Sequence, residues 1–260
     1  MIDIGFNLGH HRFDADRDVV LNRARAAGVT GFIATGIHVA GSRAAAGLTA
    51  QWKDVWCTAG VHPHNASELV GAEGVARVSE LRLLLQNPRV VAAGEMGLDF
   101  DRNFSPPAHQ EEAFLMQLDL ARAAGKPIFL HCRSAEKRFL ELLAGRSQPG
   151  VVHCFTGDAD FAHACLDLGL HIGVTGWVCD DRRAEALRGA LKVIPADRLM
   201  IETDAPFLSP KDLPEAARRN EPRFLPHVCA AIAHWMGRDA AEVAQTSTAV
   251  ARRFFGLSEM

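Results

Sequence analysis

The sequence predicts an α/β chain folded as a TIM-type (β/α)8 barrel, a single domain over residues 1–260. Three observations carry this. Eight short apolar runs alternate with helical segments over the first 204 residues, which argues for a parallel sheet. The count of eight favours a closed barrel over an open doubly wound sheet. The length of 260 residues suits one such barrel, and no shift in composition marks a second domain.

Residues 2–7 open the fold as a strand. A helix over 16–27 follows, with Val19, Val20, Ala24 and Ala27 on one face and Gly28 as its stop. The second strand is 31–36, an Ala-rich helix covers 42–51, and the third strand is 55–61, ended by His62-Pro63-His64. A helix over 75–85 leads to the fourth strand. Ser105-Pro106-Pro107 opens the longest helix, with Ser as N-cap, a stripe of Phe114, Leu118 and Ala121, and Gly125 as its stop. Strand five is 127–131, a helix covers 136–143, and strand six is 150–153. Asp158 caps a helix bearing Phe161, Cys165 and Leu168. Strand seven is 171–175, a helix lies near 183–192, and strand eight is 199–204. A polar segment over 206–222 precedes two closing helices. The second starts with Asp239 and Glu242 in a capping-box arrangement and buries Val243, Val250 and Phe254.

The composition, 48% hydrophobic and 23% charged, is that of a soluble globular protein, and the net charge of -3 gives no global basic field to recruit nucleic acid. A polyanionic substrate would need local arginines or a metal. The six cysteines form no C-x-x-C pair and read as reduced thiols. No leader pattern and no bilayer-length apolar stretch is present, so the cytoplasm is expected.

Residues 90–100 read as a short strand buried on both faces with Glu95 at its end, Gly94 and Gly97 allowing close approach. A buried carboxylate is costly unless its charge is compensated, and a metal ion is the natural compensation. His62, His64, His131, His153 and Asp204 end other strands. In a barrel these positions share the C-terminal rim, where active sites are built. Histidines and carboxylates converging there make a mixed nitrogen and oxygen metal site. Such a metal acidifies water for hydrolysis. Glu95 can bridge two metals, and Asp204 can take the proton of the attacking water or complete the shell. Arg133, two residues past His131, is the arginine best placed for a substrate phosphate. Trp177 and Phe207 are the leading candidates for stacking an unpaired base. Asp99 is read as orienting a metal-bound group or capping its loop. Glu202 lines the pore with an arginine partner or joins the site. Cys132 and Cys154 are expected to be inert and buried.

The runs 60–64, 94–100, 130–133, 152–157 and 201–206, with the Arg218-Arg219-Asn220-Glu221-Pro222 segment, resemble the ordered motif set of the TatD-type metal-dependent deoxyribonucleases. The resemblance covers essentially the whole chain. It implies an amidohydrolase-like barrel with magnesium-stimulated 3′-to-5′ exonuclease activity on single-stranded DNA and RNA. It further implies Glu95, His131 and His153 as metal ligands, Asp204 as ligand or base, and His62 near the scissile phosphate; from its place at the same strand end, His64 is expected to contact the phosphate too. Most relatives carry Asp-x-His-x-His on strand one; here Asp3, Gly5 and Asn7 stand in those places, as in the TatD subgroup itself. One well-ligated metal is therefore expected, a second binding weakly or only with substrate. The resemblance implies magnesium, whereas histidine ligands suit manganese or zinc. A monomer without membrane contact is expected. Two other readings use the same residues: a barrel hydrolase of small amides, esters or lactones, and a binding protein that has lost catalysis.

Overall fold

A computed structural model describes residues 1–213 and 219–257; Arg218 of the motif segment lies outside them. Eight parallel strands share one sheet in chain order, and a helix separates each from the next. This is the topology of the (β/α)8 barrel. The chain divides into two compact units, Met1–Ile33 with Cys154–Met260, and Ala34–His153.

The first unit holds β1 (Ile2–Phe6), α1 (Arg17–Ala26), all but the last residue of β2 (Gly31–Ala34), α6 (Ala159–Asp167), β7 (His171–Val174), α7 (Glu185–Ala190), β8 (Leu199–Ile201), α8 (Leu225–Met236) and α9 (Ala240–Phe255). Phe6, at the end of β1, forms an isolated parallel bridge with Ala205, four residues past β8. Asp204 N–H donates to Gly5 O and Asn7 N–H to Ala205 O, both at 2.8 Å. The second unit holds α2 (Val39–Leu48), β3 (Val55–Ala59), α3 (Gly74–Leu84), β4 (Val90–Asp99), α4 (Pro107–Ala124), β5 (Ile128–Arg133), α5 (Glu136–Leu143) and β6 (Gly150–Val152).

Several local expectations need correction. On α1 the buried face is Val20, Leu21 and Ala24, and Val19 is exposed. On α9, Phe255 is buried instead of Phe254, whose ring meets His171 edge-on. Asp239 caps α9 by accepting the N–H groups of Ala241 and Glu242, while the Glu242 carboxylate pairs with Arg238 and does not return to the cap. Ser105 does not cap α4. Its hydroxyl donates to His64 O and accepts Ser67 N–H, tying down the 3-10 turn Pro63–Leu69.

Asp3 is fully buried on β1, where Thr203 donates to it through both hydroxyl and N–H. Burial raises its pKa to about 7 despite those hydrogen bonds. Between pH 4 and 7 the folded chain thus binds more protons here than the unfolded chain, and stability falls as pH rises. Asp3→Asn is expected to remove that slope, worth up to about 4 kcal/mol at one pKa unit per 1.4 kcal/mol. Melting curves of both proteins from pH 4.5 to 7.5 check this: the gap in Tm should shift in favour of the variant as pH rises.

Candidate active site

The candidate site lies in the second unit, around the Glu95 carboxylate. β4 is ten residues long and buried at every position. Glu95 is its sixth residue, so the expectation that Glu95 ends the strand is corrected: Asp99 ends it. A register shift against β5 between Ala93 and Met96 interrupts the pairing at this point, a bulge of the kind that re-aims a side chain. Gly94 and Gly97 have φ of +140° and +146°. A Cβ at Gly94 would stand 2.2 Å from Phe129 O, and one at Gly97 1.9 Å from His131 O. The glycines therefore admit the neighbouring backbone of β5.

Three imidazoles face the carboxylate. Glu95 Oε1 lies 2.9 Å from His131 Nδ1, 3.3 Å from His62 Nε2 and 3.8 Å from His153 Nε2. Burial alone would raise the Glu95 pKa, but the imidazoles of His62, His153 and His131 outweigh it and hold the group below the usual carboxylate range. His131 shows the converse. Burial lowers its pKa, and the carboxylates of Asp99 and Glu95 more than offset this and raise it.

His62 follows β3 and heads the 3-10 turn Pro63–Leu69. Its Nδ1 accepts the N–H of His64 at 3.0 Å. An accepting Nδ1 carries no proton, so the neutral ring carries it on Nε2, the atom facing Glu95. The ring stays neutral, because burial pushes its pKa down to about 3 although the Glu95 charge opposes this. His64 Nε2 pairs with Asp99 Oδ2 at 2.7 Å. The other Asp99 oxygen accepts the N–H groups of Asp101 and Arg102. Asp99 thus both caps its loop and orients a site histidine.

A divalent cation fits this residue set. Nitrogen and oxygen atoms of His62, Glu95 and His131 all lie within 4.8 Å of one another; with the proton on His62 Nε2, Glu95 and His131 are the members free to hold the ion. His131 Nε2 is buried without a hydrogen-bond partner, and the nearest carboxylate oxygen, on Asp99, is 3.5 Å away. An unsatisfied imidazole nitrogen beside two buried carboxylates is a donor set for such an ion.

The other expected site residues, and further aromatic and arginine side chains that follow strand ends, are placed as follows. Arg133 is half-exposed and pairs with Asp101 at 2.8 Å. In the first unit, Asp204 has φ of +53°, and its Oδ1 accepts Asn7 Nδ2–H at 2.8 Å. Glu202 is fully buried and accepts the Cys154 N–H. Cys132 and Cys154 are each partly exposed, contrary to expectation. Phe155 is buried and stacked on Phe161. Trp177 is covered by the Arg183 guanidinium, 4.1 Å from its ring. Phe207 remains exposed, and so does Phe104, whose ring sits edge-on to His64 at 4.7 Å. Arg138, Arg219 and Arg223 are held in ion pairs with Glu111, Asp16 and Glu221.

Two residues were not singled out from the sequence. Gln110 and Gln117 lie on α4, seven apart and so on one face. Both are buried. Gln117 accepts Val61 N–H at 2.7 Å and donates to Val61 O at 3.0 Å. Gln110 accepts Asp99 N–H and donates to Asp99 O and Ser105 O. Each amide thus grips the backbone at or next to a site residue. The available signal is a glutamine in register with the apolar stripe of Phe114, Leu118 and Ala121. Gln117→Leu is expected to strand two backbone groups, at a cost of roughly 1–3 kcal/mol each. Urea denaturation measures the loss, and Gln117→Glu, which keeps an acceptor, should recover part of it.

Comparison with known proteins gives the family. Residues 2–256 match the family model described as TatD related DNase. The chain belongs to that family. A 3′-5′ ssDNA/RNA exonuclease TatD of Shigella flexneri is 48% identical over 263 residues, covering 99% of this chain and 100% of that protein. The Escherichia coli protein of the same name is 48% identical with the same coverage. Among solved structures, a TatD homologue from Escherichia coli superposes with TM-score 0.91 at 25% identity, covering 99% of this chain and 98% of that one. A TatD family hydrolase from Entamoeba histolytica gives 0.89 at 28%, covering 98% and 97%. Among the described residues no helix is long and apolar enough to cross a membrane.

Proposed function

We propose that this chain is a metal-dependent 3′-to-5′ exonuclease of single-stranded DNA or RNA, acting in the cytoplasm as a monomeric, single-domain barrel with a place in DNA repair. The observation that carries the reading is the buried Glu95 carboxylate ringed by the imidazoles of His62, His131 and His153. It is supported by relatives at 48% identity that bear this activity in their names.

Glu95, His131 and His153 would hold a divalent cation. When bound, that ion supplies Lewis-acid charge that acidifies water and polarises a phosphodiester. Asp204 would take a proton from water or serve as a further ligand, its carboxylate oriented by Asn7. His62 is a hydrogen-bond donor in this scheme: its Nδ1 is occupied by His64 N–H, and its protonated Nε2 reaches a phosphate oxygen. His64, held by Asp99, contacts the same phosphate, and Arg133 binds a phosphate after leaving Asp101. Phe104 offers its exposed ring beside His64 for a base to stack on. Family resemblance favours magnesium; the nitrogen donors suit manganese or zinc equally.

The test uses a single-stranded oligonucleotide labelled at its 5′ end, beside a panel of amides, esters and lactones. Stepwise shortening from the 3′ end, abolished by chelator and restored by magnesium or manganese, is expected. Chelator-insensitive cleavage, or turnover confined to the small-molecule panel, contradicts the proposal.

A further inference from the structure

We infer that Cys179, Asp212 and His227 form a second binding site, for a zinc-class divalent cation, that shares no ligand with the Glu95 group. Cys179 ends the 3-10 turn Gly176–Cys179 after β7, Asp212 lies in the segment past β8, and His227 sits in the first turn of α8. Three stretches of chain thus bring a thiol, a carboxylate and an imidazole together, their ligand atoms all within 4.8 Å of one another. His227 Nε2 and Asp212 Oδ1 are already 2.7 Å apart.

The donor chemistry selects the ion. A thiol with an imidazole disfavours magnesium and calcium, which take oxygen ligands, and favours zinc. With zinc-to-ligand distances of about 2.0–2.3 Å, tetrahedral ligand atoms stand roughly 3–4 Å from one another. The side chains therefore need only small shifts to close on an ion, with the His227–Asp212 pair opening slightly. Three protein ligands leave a fourth position for water or an incoming group.

Access is present as well. Cys179 is buried, but it and Asp212 line a cavity of about 370 Å³ together with Asp180, Asp181, Arg182 and Lys211. Without a cation, burial and the Asp212 carboxylate keep the thiol protonated. A coordinated cation reverses that balance, because it deprotonates the thiol it binds. A hydrogen-bonded cluster that never binds metal is the competing account, and the two differ in one spectroscopic property.

The experiment titrates the full-length, metal-stripped chain with cobalt(II), which reports a thiolate ligand by charge-transfer absorption in the near-ultraviolet. The Glu95 group contains no thiol, so the two sites are distinguishable without any activity assay. The band is expected in the parent protein and in Glu95→Gln, and is expected to vanish in Cys179→Ser. Zinc affinity at this site should fall in Cys179→Ser by more than the roughly 10- to 100-fold typical of losing an outer-shell partner. Absence of the band in the parent overturns the inference. So does its persistence in Cys179→Ser, which would assign the thiolate to another cysteine such as Cys132 or Cys154. Should Cys179→Ser not fold, Asp212→Asn and His227→Gln make the same test; unchanged cobalt affinity in both overturns it.

Discussion

Glu95→Gln is expected to lower single-strand hydrolysis at saturating metal by at least about 10²–10³-fold, the range for losing one electrostatic stabiliser of a transition state. The substitution preserves shape and removes one negative charge. In the folded chain that charge is the common partner of His62, His131 and His153. Without it three imidazoles converge on a neutral amide, and a cation held as proposed would lose its Glu95 ligand. The same variant should bind manganese more weakly by calorimetry while melting within a few degrees of the parent, since the amide still accepts a hydrogen bond at the oxygen facing His131. Full activity in Glu95→Gln would remove the basis for the proposed chemistry.

Gly97→Ala is expected to have the largest effect on stability, about 3–5 kcal/mol, from φ of +146° combined with overpacking. The added methyl would stand 1.9 Å from His131 O, a backbone atom that cannot rotate away. The loss is a large part of the total for an ordinary domain. It also displaces the strand that carries His131, so activity at low temperature should fall with it. Gly47→Ala is the control: Gly47 lies on α2 with open space around it, and alanine there should be neutral or stabilising by up to about 1 kcal/mol. Chemical denaturation of the three proteins separates the outcomes. Equal midpoints for Gly97→Ala and the parent would mean that the chain relieves the clash by some route absent from the structure.

The alternation of apolar runs and helical stripes made the architecture legible, because burial on both faces leaves a continuous apolar signature. α5 spans Glu136–Leu143 as expected, since its apolar period is undisturbed. The approximate location of the site was legible for a related reason: histidines and a glutamate set against buried apolar strands are costly unless they share a charge or a ligand. What the sequence did not disclose depends on contacts between distant segments. The bulge that turns Glu95 inward lies in the pairing of β4 with β5. Asp99 ends its strand, four residues past Glu95, and pairs with His64 from another loop. Gln110 and Gln117 resemble ordinary polar positions until α4 packs against the backbone they grip. Val19 and Phe254 were misplaced by one residue on their helices, within the angular tolerance of an amphipathic face.

The most direct test of the central claim is anomalous diffraction from crystals soaked in manganese. The account predicts a peak within about 2.0–2.3 Å of a Glu95 carboxylate oxygen, with imidazole nitrogen of His131 in its shell. A well-occupied manganese elsewhere in the same crystals, with no peak at Glu95 and His131, would contradict it.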